Sequence, residues 1–131
     1  MELQQMINAM TESMRQTRAQ YQMTLGGLVA ALERMPPETV IAYQDGNAPG
    51  KPDIYRGYHS DIAFDDITEP VEASALLELV HSVLGQTFEG YKMEMDTPVW
   101  RSGCGIASGI AMMDIRIDGD GNATILTKQI D

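Results

Sequence analysis

The chain has a single cysteine, Cys104, so no disulfide can form within it and a stapled secreted scaffold is excluded. A reducing, cytosolic setting fits this usage. No window approaches the ~20 apolar residues that a membrane-spanning helix needs, and the N-terminus, with Glu2 and Glu12 and no basic cluster, lacks the form of a signal peptide. Cations are scarce as well. Nine Lys and Arg stand against nineteen Asp and Glu, a formal net charge of −10, which disfavours direct nucleic-acid binding because phosphate neutralisation needs clustered cations. The two histidines, His59 and His81, have no spacing that supports metal ligation. No Ser/His/Asp set or paired His motif supports a phosphodiesterase or hydrolase, so the expectation is a non-enzyme that needs no metal or cofactor.

What is present suits one soluble domain with an appendage, since 131 residues can bury one real core but not two. Residues 2–21 read as a helix, uninterrupted by Gly or Pro. Its apolar positions Leu3, Ile7, Met10, Met14, Thr17 and Tyr21 step by four and three, the seam of a short coiled coil. Such a seam wants another helix, which predicts self-association; packing back onto its own domain is the alternative. The expected division is an N-terminal helical extension over 1–23 and a domain over 24–131. In that domain a helix from Thr24 to Met35 carries Leu25, Leu28, Val29 and Leu32 on one face and stops at Pro36-Pro37.

Thr39–Tyr43 reads as a strand, Asp45–Asp53 as a turn-rich loop and Tyr58–Phe64 as a second strand. Glu69–Leu84 holds the best-marked helix, with Leu76, Leu79, Val80, Val83 and Leu84 at helical spacing and Gly85 as its stop. Strand character returns at Thr87–Met95, Thr97–Arg101, Gly109–Ile117 and Ala123–Ile130, the last two joined by the turn sequence DGDGN. This order predicts an α+β fold, an antiparallel β-sheet with helices packed on one face, plus the N-terminal oligomerisation helix.

The segments LGGLVAALERMPPETVI, YRGYHSDIAFD and LGQTFEGYKMEMDTPVW together resemble a group of small bacteriophage and prophage accessory proteins, over about Leu25 to Ile117. The chain departs from that pattern at Met93-Glu94, where the group tends to have Gly-Gly, and at His59, where it has Tyr. The resemblance implies a phage-encoded protein acting in the host cytoplasm. The chain also looks like the anti-defence sponges, the anti-Thoeris sponges in particular, a likeness of class rather than of motif. That likeness implies sequestration of a host immune nucleotide signal, a cyclic ADP-ribose isomer or a cyclic oligonucleotide.

The residues expected to hold such a ligand are Arg56, Tyr58, His59, Phe88, Tyr91, Lys92, Trp100 and Arg101. A nucleotide needs flat apolar surfaces for its base and charge-assisted donors for its phosphates, which aromatics and cations supply. Gly57 and Gly90 beside them would let backbone approach closely. The competing reading makes Phe88, Tyr91 and Trp100 packing residues and pairs Arg56 and Lys92 with acids such as Asp61 or Asp96. The run SGCGIASG, Ser102–Gly109, lacks the Gly-Lys-Ser/Thr ending of a P-loop and reads as an inter-strand loop, able at most to contribute an anion nest. Nothing readable from spacing activates Cys104. Asp118, Asp120 and Asn122 suit turn chemistry, since Gln129 stands where a calcium loop needs Glu. Six acids and no Lys or Arg between Asp61 and Glu78 offer a second function, an acidic surface that blocks a host nucleic-acid-binding defence protein.

Overall fold

The computed structural model describes residues 2–102 and 107–131, so Cys104 and the middle of the glycine-rich run lie outside the described residues. Helix α1 (Leu3–Tyr21) is closed at its N-terminus by a capping box between Glu2 and Gln5, and none of its residues is buried. Helix α2 (Leu25–Glu33) opens on Thr24, whose hydroxyl accepts from the Gly27 N–H, and buries Leu25, Leu28, Val29 and Leu32. Gly26 is required here: its N–H donates to the Met95 carbonyl at 2.8 Å, and a Cβ would stand 2.9 Å from that oxygen.

Strands β1 (Val40–Tyr43), β2 (Ala48–Tyr55), β3 (Tyr58–Ile67) and β4 (Val71–Glu72) lead to helix α3 (Ala73–Val83). The short β5 (Thr87–Phe88) and β6 (Tyr91–Lys92) follow, then β7 (Val99–Ser102), β8 (Ile110–Ile117) and β9 (Asn122–Gln129). Seven strands form one sheet in the order β2-β3-β7-β8-β9-β1-β4. The α+β class is as expected, but the sheet is mixed rather than antiparallel, because β3 runs parallel to β7 and β1 parallel to β9. Parallel neighbours need long crossovers, and α3 with the β5–β6 hairpin supplies one between β3 and β7. Strand β2 is one end of the order and β1 is next to the other, yet only residues 44–47 join them. The Tyr43 N–H reaches the Asn47 carbonyl at 2.7 Å across that turn, so the sheet curls nearly into a barrel.

Three local expectations change for identifiable reasons. Residues 48–53 are strand rather than loop, and Pro49 and Pro52 are tolerated because β2 is an edge strand whose register shifts between them. Helix α3 starts at Ala73, four residues later than expected, because Val71–Glu72 pairs with β1 after Pro70. The strand expected over Thr87–Met95 folds back on itself at Glu89-Gly90, both with positive φ (48° and 88°), the two-residue hairpin geometry of a primed turn.

The inner face of the sheet and helices α2 and α3 enclose the main core, in which Leu28, Ile41, Phe64, Leu76, Val80 and Ile125 are fully buried. The outer face carries a smaller cluster of Tyr55, Ala63, Trp100 and Ala111, with Tyr58 and Met113 packed against it. Helix α1 lies over this outer face through Arg18 and Asp61. Helices therefore cover both faces, not one. No helix among the described residues is long and apolar enough to cross a membrane.

Candidate functional site

Alternation along β3 sends Ile62 and Phe64 into the main core and Asp61 and Ala63 to the outer face. Asp61 has no exposed surface. It is satisfied by three donors: Arg18 as a fork (Nε 2.7 Å, a terminal nitrogen 3.0 Å), Trp100 Nε1 at 2.9 Å and the Ser60 hydroxyl at 3.2 Å. The Arg18 guanidinium also lies 3.9 Å over the Tyr58 ring. Arg15, one turn earlier, bonds Asp96 at 2.9 Å and the Thr97 hydroxyl. Gln22 donates to the Val99 carbonyl at 2.9 Å. The C-terminal half of α1 is thus latched to the sheet by polar groups. Deleting residues 2–22 should cost the domain more stability than any single latch substitution, whereas deleting 2–10 should cost little; urea denaturation followed by circular dichroism separates the two.

Two of the expected ligand residues are claimed by other contacts. Trp100, 1 % exposed, stacks on Tyr55 with ring centroids 4.3 Å apart and planes within 3°, and its only polar atom is taken by Asp61. It is a core residue of the outer cluster. Arg101 points the other way, held by Asp66 (2.7 Å) and Asp45 (2.6 Å) and lying 4.0 Å over Tyr43. Its hydrogen bonds to Asp66 hold its pKa above the ordinary arginine value, and Asp45 adds to this. Burial drives the Tyr43 phenol upward in turn. Neither Trp100 nor Arg101 is open to a ligand.

Phe88 packs half-buried against the main core, and Arg56 is exposed in the β2–β3 turn. The other four expected residues come together. Two cavities, of about 250 Å³ and 330 Å³, share Thr11, Ser60 and Tyr91 and form a groove between α1, the β2–β3 turn and the β5–β6 hairpin. Lys92 and Gly90 line one part; Tyr58, His59 and Gly57 line the other. Gly57 has a local reason to be glycine, since a Cβ would meet the Tyr55 ring at 2.6 Å. His59 Nδ1 stands 3.1 Å from Glu89, tying the β2–β3 turn to the hairpin. The hydrogen bond that the Tyr58 hydroxyl donates to Asp131, and then burial, push the Tyr58 phenol above its ordinary pKa.

The α1 side of this groove, Thr11, Arg15 and Arg18, was not among the expected site residues. The available signal was their spacing: Thr11, Arg15, Arg18 and Gln22 step by four, three and four, a second stripe beside the apolar seam. Three of the nine Lys and Arg side chains, Arg15, Arg18 and Lys92, therefore line one groove of a strongly acidic protein; Asp96 and Asp61 already hold Arg15 and Arg18, and Glu12 and Glu94 also line it. Arg15 retains a buried Nε without a partner. Among the described residues no three His, Cys, Asp or Glu side chains converge as a metal site would require. The groove can thus offer aromatic edges, hydroxyls and cationic donors, a set suited to holding a small anion with a flat ring. No protein-family model, no curated protein and no solved structure matches the chain.

Proposed function

We propose that this chain is a binding protein, not a catalyst, and that it sequesters a small phosphate-bearing nucleotide in the groove beneath α1. The observation that carries the reading is the gathering of Tyr58, His59, Tyr91 and Lys92 with Arg15 and Arg18 around that groove. Tyr91 supplies ring surface for a base, and Lys92, exposed and paired with no acid among the described residues, supplies a charge-assisted donor for a phosphate. The resemblance to phage accessory proteins and anti-defence sponges makes a host immune nucleotide, a cyclic ADP-ribose isomer or cyclic oligonucleotide, the ligand class to test. The alternative acidic-surface reading loses two of its six acids, because Asp61 and Asp66 are occupied by Arg18 and Arg101.

Calorimetric titration with a panel of cyclic nucleotides and ADP-ribose isomers tests this. Lys92→Ala should weaken the best ligand by about ten- to a hundredfold, the loss of one charge-assisted hydrogen bond of roughly 1.5–3 kcal/mol. Tyr91→Ala should cost ~1–3 kcal/mol if the base lies on that ring. Ligand released by heating should be chemically unchanged. A panel with no micromolar binder, or variants that bind as the wild type does, would remove the sponge assignment and leave the acidic surface as the leading reading.

A further inference from the structure

The latch along Thr11, Arg15, Arg18 and Gln22 leaves the apolar seam of α1 uncovered. Leu3, Ile7, Met10, Met14 and Tyr21 are between 44 % and 72 % exposed, on a helix none of whose residues is buried. At roughly 100° per residue, this seam lies about a quarter-turn around the helix from the latch, so it flanks the domain and stays open to a partner beside it. At its C-terminal end it runs on into a cleft of about 360 Å³, formed by Thr17, Arg18, Tyr21, Met113, Lys128 and Ile130. Met113 is half-buried and Ile130 is 40 % exposed, so the apolar surface passes from helix to sheet without a break.

We propose that a second copy of this chain covers that surface, with the two α1 helices antiparallel about a two-fold axis near Glu12. The seam is symmetric about that point. Reversing one helix sets Leu3 against Tyr21, Ile7 against Thr17 and Met10 against Met14, each pair equidistant from residue 12. The free first turns of one helix then lie along the latched last turns of the other and enter the Tyr21, Met113 and Ile130 cleft. The same placement brings the partner's Glu2 toward Lys128, an opposite charge in the lining of the cleft. A parallel pair would instead set Glu2 against Glu2 and leave both clefts empty. The cleft also answers an energetic difficulty, since under three heptads with Met at several positions form a weak coiled coil alone.

Sedimentation equilibrium and oxidative crosslinking of the full chain test this. The wild type should have the mass of a dimer at micromolar concentration, and Ile7→Glu with Met10→Glu should halve it. Those two side chains are exposed, so the melting curve should keep its monomer-domain transition. Glu2→Lys should weaken the dimer severalfold, the scale of an exposed ion pair, and adding Lys128→Glu should restore it. In a Cys104→Ser background, Leu3→Cys mixed with Tyr21→Cys should crosslink as a hetero-pair, while Leu3→Cys alone should not. A monomeric wild type, an unchanged mass for the Glu variant, a Leu3→Cys homo-crosslink or the absence of any crosslink would each overturn the arrangement.

Discussion

Replacing Arg18 by Ala should lower the unfolding free energy by about 3–5 kcal/mol, the usual cost of removing one partner from a buried ion pair. Asp61 is fully buried and Arg18 is only 13 % exposed, so the variant leaves a buried carboxylate without its cation. Trp100 Nε1 and the Ser60 hydroxyl would still donate to it, but neither carries a charge. Arg18→Ala in an Asp61→Asn background should cost far less than in the wild type, because an amide tolerates the loss of a cation. Equilibrium urea denaturation of the four proteins closes that cycle. Equal costs in both backgrounds would mean that α1 is held by its packing and backbone bonds at Met23 and Val99 and not by this pair.

Trp100→Ala should cost a similar amount, about 3–5 kcal/mol, through the cavity left where the indole stacks on Tyr55. Trp100→Phe keeps a ring there and deletes only the donor to Asp61. Its expected cost is about 1–3 kcal/mol, the penalty of an under-satisfied buried acceptor. Since Trp100 is the only tryptophan, far-UV circular dichroism must follow these transitions. A Trp100→Ala protein as stable as the wild type but deficient in ligand binding would return this residue to the binding surface.

The contrast between Trp100 and Tyr91 shows where sequence reasoning stops. Both sit in the aromatic segment after α3, and both meet the composition a nucleotide site needs. Strand parity and sheet neighbours send Trp100 under α1, between Tyr55 and Asp61, while the Glu89-Gly90 turn swings Tyr91 and Lys92 up to the groove. Arg101, next to Trp100, is claimed on the opposite face by Asp66 and Asp45, which precede it by 35 and 56 residues. No spacing rule reaches that far.

The sequence by itself determined the α+β class, the amphipathic helices around Leu28 and Leu76, the β8–β9 hairpin at Asp118–Asn122 and the apolar seam of α1. These depend on period, capping and turn chemistry within a few residues, which the chain carries locally. Only the tertiary structure decided that β1 and β3 have parallel partners, that the sheet curls until β1 turns directly into β2, and that α1 lies on the face opposite α2 and α3. The reason is common to all three: strand direction leaves no mark on the alternation of apolar and polar residues, and the face that α1 covers is fixed by partners far apart in the chain, among them Asp61 and Arg18, 43 residues apart.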